Sequence, residues 1–289
     1  MNLYANALIV IAVVCVTVGL QHLLIATRLE KRQVRLLFSV AAFAAAADAL
    51  VEIRLFRSAT PAEFQSLMPW TAVFIGAFLA ALAWFIALRT GGARRWLLLA
   101  ESVALAATAA LDHVLPTGIS YTQIEALREV VLPWGEAFRL AVGTPNPWRI
   151  VGDAANVGFL IYLLDTTIRL VRRGQRRDAW LIGGSLFVLS LSVLAIIPTD
   201  LGVVEFPAIH PFAFLLIVAA MSWDLSDTVV REARLAREVV ANERRWRQLL
   251  DSVQLLVVGL DRHGRITSVN PFAERVSGRS REEMVGRSY

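Results

Sequence analysis

The chain has 289 residues, of which 56% are hydrophobic and only 18% are charged, and its formal net charge is +5. A soluble protein of this size carries about 25% charged residues, so the composition excludes an ordinary soluble protein and indicates a polytopic membrane protein. The basic residues cluster in short loops between apolar runs. This pattern marks membrane orientation and argues against nucleic-acid binding.

Seven apolar stretches are long enough to cross a hydrocarbon core of about 30 Å, for which roughly 20 residues are needed. The predicted spans are Leu3 to Ala26, Leu36 to Phe56, Leu67 to Leu88, Trp96 to Leu115, Trp148 to Leu170, Ala179 to Thr199 and Ile209 to Asp227. The loops after the first, third and fifth spans are rich in arginine, which is typical of cytoplasmic loops. We therefore predict a multi-pass membrane protein with its N-terminus outside and its C-terminus in the cytoplasm.

The first span is predicted to be a retained helix and not a signal peptide, because it lacks a basic leader and a small-residue cleavage site. It contains Cys15, the only cysteine, so a disulfide within the chain and a thiolate metal site are excluded. The only lysine, Lys31, lies in the following loop, which excludes retinal, because a Schiff base needs a lysine within the bundle. Haem bound between helices needs two histidines that face each other at the same depth. His22 lies near the inner end of the first span, far from the other histidines of the predicted spans, so it is predicted to be an interface or packing residue.

The second span combines a run of small residues, Ala41 to Ala47, with two acidic residues, Asp48 and Glu52. The small residues allow neighbouring helices to approach closely. Asp48 and Glu52 are one helical turn apart and share a face. Ionisable residues at membrane depth usually face a bundle interior or a water-filled cavity. Two interpretations stay open here, a ligand pocket and a structural ion pair with a nearby arginine such as Arg54.

Further polar residues recur near the predicted outer ends of the later spans. They are Asp112, His113, Asp153, Asn156, Asp200 and His210. Together with the acidic pair of the second span, they predict an outward-facing pocket for a small-molecule or lipid-like ligand. A zinc-type site built from His113, His210, Asp112 and Asp200 is a weaker alternative, because no paired His-x-x-x-His spacing is present. No metal, cofactor or catalytic residue is predicted.

The longest predicted outer loop runs from Ile119 to Pro147. Within it, the apolar residues of Tyr121 to Val131 favour a short amphipathic helix that lies on the membrane interface or covers the bundle. Trp134 and Glu136 follow this segment and complete the set of predicted ligand-binding residues.

The last span is predicted to continue as a helix to about Val253, because no Gly or Pro lies between Pro211 and Gly259. Apolar residues then recur with coiled-coil spacing at Val229, Ala233, Ala236, Val240, Trp246, Leu250 and Val253, with a slip of phase near Glu243. The pairs Asp227 with Arg231 and Glu243 with Arg247 have the i,i+4 spacing that supports a solvated helix. An ordinary surface helix is the alternative to a dimeric coiled coil, which we favour.

A different pattern follows the helix. Leu255 to Leu260 and Arg265 to Val269 are predicted strands joined by a tight turn over Asp261 to Gly264. Asn270 and Pro271 then begin a helix that ends near Gly278, with Asn as the cap and Pro at the first position. A second short helix is predicted to begin at Ser280.

This segment resembles the start of a PAS domain. Residues 259–266 resemble the first hairpin, 270–273 the Asn-initiated helix, and 277–278 with 282–286 the next turn and helix. Residues 243–250 are similar to the lead-in helix of such domains. The membrane part resembles, by its architecture, the seven-helix sensor regions of bacterial membrane-bound sensor histidine kinases. The resemblance implies further strands to close the PAS sheet, so the chain is expected to end inside that domain.

The predicted fold is therefore mainly α: a seven-helix transmembrane bundle over residues 1–227, a cytoplasmic coiled-coil linker over 228–252, and the N-terminal part of an α/β PAS domain over 253–289. The resemblance implies that the chain is the input half of a signalling receptor of the bacterial inner membrane, which acts through a histidine kinase absent from this stretch. Its expected partners are a second copy of the chain, membrane lipids, the ligand, and a response regulator below the kinase. A cyclase or phosphodiesterase output, and a polytopic membrane enzyme or transporter using the outer Asp/His cluster, are the alternatives.

Overall fold

The computed structural model describes residues 3–27, 32–132, 134–200, 206–252 and 255–288. Side chains are described for these residues except 196–200, 229, 232–233, 236, 247 and 250–252. The chain divides into two compact units, Met1–Trp223 and Asp224–Tyr289. The finer division at 227 and 252 stays a prediction.

The first six helices are α1 (Leu3–Ala26), α2 (Arg32–Arg57), α3 (Pro61–Thr90), α4 (Arg95–Val114), α5 (Arg149–Arg172) and α6 (Arg176–Asp200). All six are long and apolar enough to cross a membrane, α6 by its residues Arg176–Ala195. The first six predicted spans are thus confirmed as helices of membrane-spanning length and composition, which is consistent with a membrane protein. The seventh predicted span begins α7 (His210–Ser252) and is not among the six found in the described residues. Its apolar part is short, because Asp224 follows Trp223.

Consecutive helices from α1 to α6 pack against each other in chain order. The small residues of α2 allow this close packing, as predicted, because the alanines from Ala41 to Ala49 are largely buried. Gly19 of α1 lies so close to Phe43 of α2 that an added Cβ would stand 2.8 Å from its Cε1. Large apolar side chains elsewhere on the helices are exposed, including Val103 and Phe187. An apolar solvent such as lipid accounts for that exposure.

The segment predicted as an amphipathic helix is instead a strand, so that prediction was wrong. β1 (Tyr121–Val131) pairs antiparallel with β2 (Ala137–Pro145). The tight connection between them is closed by a hydrogen bond of 2.8 Å from Gly135 N to Leu132 O, with Gly135 at a φ of 83°. A turn that ends in a left-handed glycine is a common three-residue hairpin loop.

Two irregularities in β1 explain why the segment looked helical. The register shifts between Tyr121 and Gln123 and again between Ile124 and Ala126, so each time β1 has an extra residue. Every third residue of the bulged strand, including Ile124, is partly or fully buried. Burial that repeats every three residues resembles the burial pattern of an amphipathic helix. The alternating apolar residues of the partner strand, Phe138, Leu140 and Val142, were the signal that could have identified the hairpin.

The second unit confirms the predicted strands and short helices. β3 (Val258–Leu260) pairs antiparallel with β4 (Ile266–Val269), and α8 (Pro271–Ser277) and α9 (Arg281–Met284) follow. The Asn270 side chain accepts a hydrogen bond of 3.2 Å from Ala273 N, so it caps α8 as predicted. Ser280 caps α9 in a capping box with Glu283.

The predicted long helix is present as α7 (His210–Ser252). The predicted pair of Arg231 and Asp227 is formed, with Nε and Oδ2 3.0 Å apart. The other predicted pair involves the Arg247 side chain, and the predicted end at Val253 also lies outside the described residues. The coiled-coil pairing of α7 stays a prediction.

Candidate functional site

One end of the bundle carries the β1–β2 hairpin and is called the hairpin end here. The ring of Phe138 on β2 stacks on Phe56 of α2 at 5.8 Å, and Arg139 Nη1 donates a hydrogen bond of 2.6 Å to Ser58 O. These contacts place the hairpin on the end of α2. The start of α1, the start of α7 and the end of α2 therefore meet at the hairpin end.

A buried polar triad of Asp48, Glu52 and His210 forms at this end. His210 is the first residue of α7, and its Nε2 lies 3.0 Å from Asp48 Oδ2 and 3.7 Å from Glu52 Oε1. Asp48 is fully buried, while Glu52 and His210 keep only a small exposed fraction. The sequence left open whether the acidic pair lines a pocket or forms an ion pair. The two carboxyl groups lie against the imidazole of His210, which forms an ion pair with them when it is protonated, and not against Arg54, whose side chain is exposed.

Aromatic packing supports the position of His210. Its ring lies edge-on to Phe214 at 5.5 Å, and Phe214 stacks on Phe78 of α3 at 4.0 Å. Phe78 and Phe214 are both almost fully buried. The first turn of α7 is therefore fixed by charge against α2 and by aromatic contact against α3.

Glu136 acts as a cap for α1 and is not free to bind a ligand. Its Oε2 accepts hydrogen bonds from Tyr4 N at 2.8 Å and from Trp134 Nε1 at 3.0 Å, and its Oε1 accepts one from Ala5 N at 3.4 Å. Burial favours the neutral acid, but the three donors outweigh it and lower the pKa of Glu136 below its ordinary value. The Tyr4 hydroxyl in turn donates to Ala208 O at 2.8 Å, just before α7.

A cleft of about 190 Å³ opens between α3, α4 and α5. Three of the predicted ligand-binding residues, Asp112, Asp153 and Asn156, line it. Asp112 is buried, and its Oδ1 accepts a hydrogen bond of 2.6 Å from Ile119 N. Asp153 is paired with Arg149, with Oδ2 3.8 Å from Nε. The cleft is separate from the triad, since the two share no lining residue.

The remaining predicted residues are dispersed. His113 is exposed, with its Nδ1 3.0 Å from Ala109 O and its ring edge-on to Trp70 at 5.6 Å. The side chain of Asp200 lies outside the described residues. Where side chains are described, no group of three or more His, Cys, Asp or Glu residues is arranged to hold a metal ion.

Sequence reasoning missed a polar contact at the other end of α1. His22 Nε2 lies 3.0 Å from Ser222 Oγ, and Arg35 Nη1 lies 3.3 Å from His22 Nδ1. Because an arginine can only donate, Nδ1 is the acceptor, and Nε2 carries the hydrogen and donates to Ser222. His22 and Arg35 are buried. No spacing could have revealed this network, because its members are far apart in the sequence.

Comparison with protein families identifies a match to the PAS fold over residues 244–289. It covers the last part of α7, the β3–β4 hairpin, α8 and α9, and confirms the resemblance of this segment to a PAS domain, while the resemblance of the membrane part to seven-helix sensor regions stays a prediction. No curated protein matches the chain. A PAS domain beside membrane-type helices supports a sensory or signalling role for the chain.

Proposed function

We propose that the chain is the input half of a bacterial signal-transduction receptor. A ligand from outside the cell or from the membrane acts on the helical bundle, and α7 passes the change to the PAS domain and to a histidine kinase module, whose substrate is a response regulator. The observation that supports this most strongly concerns α7. It contacts α2 through His210 and α1 through Ser222, and it also contains the residues at which the PAS match begins.

The contacts of α7 suggest how a signal is transmitted. A ligand shifts an equilibrium only by its differential affinity for two states. The hydrogen bond at Ser222 is directional, and His210 lies 3.0 Å from Asp48, so a second arrangement of α7 requires both contacts to break or to exchange partners. A helix moves largely as a unit, so a displacement at Ser222 continues toward Glu243, where the apolar seam slips in phase. We propose that two copies of α7 form a dimer and that its second packing arrangement arises near Glu243.

The proposed location is the inner membrane, with the hairpin end outside. Single cysteines at Ala137→Cys on the hairpin and Gln175→Cys between α5 and α6 test this, since both positions are exposed and the native Cys15 is buried. In intact cells, a membrane-impermeant maleimide should label the first and not the second. The reverse labelling would overturn the orientation.

Cross-linking tests the proposed dimer and the coupling through α7 together. In a Cys15→Ala background, Val240→Cys lies on the predicted seam and Val239→Cys beside it, and both valines are exposed in the single chain. Oxidation of membranes should cross-link position 240 much faster than position 239. Adding His210→Ala should change the yield at position 240. Equal yields at 239 and 240 would exclude the seam, and a yield unaffected by His210→Ala would remove the support for coupling.

A diguanylate cyclase or phosphodiesterase output would use the same input mechanism. A membrane enzyme that pairs Asp112 with His113 has less support, because Asp112 accepts a hydrogen bond from Ile119 N in the cleft while His113 is exposed. The receptor is therefore the function that the geometry supports best.

A further inference from the structure

We propose that the cleft between α3, α4 and α5 binds a small organic cation of the primary-ammonium class. This inference rests on the proposed receptor function, because it names the chemistry of a ligand for the bundle. The volume of about 190 Å³ corresponds to roughly six waters at about 30 Å³ each. It is below the range of about 300–1,000 Å³ typical of drug-sized ligands, so the occupant is small.

Two hydroxyl groups in the cleft, those of Thr71 and Thr108, are available only as acceptors. Thr71 Oγ1 donates to Met68 O at 2.7 Å, and Thr108 Oγ1 donates to Ala104 O at 2.9 Å. A hydroxyl has a single hydrogen, so both oxygens present only lone pairs to the cleft. The carboxylates of Asp112 and Asp153 also accept. Arg149 is a donor, and Ser120 and Asn156 can donate or accept, so the acceptor groups of the lining outnumber its donors. This balance fits a ligand rich in hydrogen-bond donors, and an ammonium group carries three.

The charge of the lining also favours a cation. The lining of the cleft contains two acidic residues, Asp112 and Asp153, and one basic residue, Arg149. The Arg149–Asp153 pair is loose at 3.8 Å and largely open to solvent, so it neutralises Asp153 incompletely. An anionic ligand would meet two carboxylates in a small volume and is disfavoured.

Gly152 keeps the wall of the cleft open. A Cβ there would stand 3.3 Å from Ile119 Cδ1 and 3.5 Å from Thr108 Cγ2. A larger side chain at this position would occupy the space between α4 and α5. Gly184 on α6 offers a matched control, because nothing lies within 4 Å of a Cβ built there.

The test measures binding to the purified full chain in detergent micelles by saturation-transfer NMR. The probes are n-butylammonium, butan-1-ol and butyrate, which share a chain length and differ in charge and donors. Butylammonium should bind saturably, and at least about tenfold more tightly than the other two, since hydrogen bonds between charged groups are stronger than those between neutral ones. Butyrate binding as tightly as butylammonium would overturn the proposal.

Variants assign the binding to the cleft. Gly152→Val should abolish saturable butylammonium binding, and Gly184→Val should leave it unchanged. Asp153→Asn, at an exposed position that does not disturb the fold, should weaken binding several-fold and serves if Gly152→Val fails to fold. Undiminished binding in Gly152→Val or in Asp153→Asn would overturn the site.

The cross-linking at position 240 separates this inference from the receptor function. If butylammonium binds in the cleft and also changes the yield of cross-linked dimer at position 240, the result supports both the cation site and the receptor function. Binding without any shift supports the site and counts against a signalling role for it. No binding, together with a yield that responds to His210→Ala, overturns the cation site and leaves the receptor function standing.

Discussion

Replacing Glu136 by alanine removes one acceptor group from three hydrogen bonds at the start of α1. The amides of Tyr4 and Ala5 then have no acceptor, and both residues are buried, so water reaches them poorly. The third donor, on Trp134, is half exposed and can turn to solvent. The loss is therefore concentrated in the two amides and in the charge near the helix N-terminus.

The magnitude follows from these contacts. A buried donor left without a partner costs about 1–3 kcal/mol, and loss of a helix cap costs about 0.5–2 kcal/mol. Since the bond to Tyr4 N is short at 2.8 Å and that to Ala5 N is long at 3.4 Å, we expect Glu136→Ala to lower the free energy of unfolding by about 2–4 kcal/mol. Glu136→Gln keeps an acceptor oxygen but loses the charge and should cost about 1 kcal/mol.

The pH dependence has a defined sign. The pKa of Glu136 is lower in the folded chain than in the unfolded chain. The contribution of Glu136 to stability is therefore complete above its pKa in the unfolded chain, about 4.3. This contribution is lost as the pH falls from there toward the lower pKa in the folded chain. The stability difference between the wild type and Glu136→Gln should narrow as the pH falls below about 4.3.

Unfolding in mixed SDS micelles, followed by helical circular dichroism, measures these differences. Glu125→Ala on the same hairpin is the control, because Glu125 is exposed and makes one long contact of 3.4 Å with Thr144 Oγ1. A Glu136→Ala variant within about 0.5 kcal/mol of that control would refute the capping role. A difference that persisted undiminished at low pH would refute its charge dependence.

Three further predictions use the same unfolding assay or hydrogen exchange. His210→Ala leaves two buried carboxyl groups without their base and should lower the free energy of unfolding by about 3–5 kcal/mol. Adding Asp48→Asn in a double variant should recover at least about 1 kcal/mol of this loss, and strictly additive losses would contradict the triad. Asn270→Ala removes three hydrogen bonds of a buried side chain and should accelerate amide exchange in β3 and α8, whereas unchanged protection would show that the cap is dispensable. Gly19→Ala should lower the free energy of unfolding by about 1–3 kcal/mol relative to Gly184→Ala. Both variants gain helix propensity, but a Cβ at Gly184 meets no neighbour, so equal stabilities would rule out the tight α1–α2 approach.

Features encoded in local sequence were predictable. Length and hydropathy identified six of the helices, and the Asn270–Pro271 pair with its preceding hairpin identified the PAS segment. The acidic pair of α2 was recognised because charge at membrane depth needs a partner, but the partner itself, His210, could be named only from the fold. Likewise, the sequence placed Glu136 among ligand-binding residues, while its acceptors are occupied by the start of α1.

The rest depends on contacts between distant parts of the chain. The bulges of β1 convert a strand into an apparent helical repeat, so periodicity alone gave the wrong element. The Ser222 contact with His22 joins residues at opposite ends of the first unit and has no local signature. Hydrophobic patterns specify which face of a helix is buried, but they do not specify which polar groups meet.

The distribution of contacts along α7 has a consequence for the shape of a dose–response curve. His210 lies 3.0 Å from Asp48 and Ser222 is hydrogen-bonded to His22, and between them lie buried apolar side chains such as Ile217 and Val218. Apolar contacts tolerate sliding, whereas hydrogen bonds fail within a few tenths of an ångström. If α7 transmits a signal as proposed, we expect weak stimulation to be absorbed with little displacement until both end contacts release together. The proposed receptor should then show a threshold, with an all-or-none output in a single molecule.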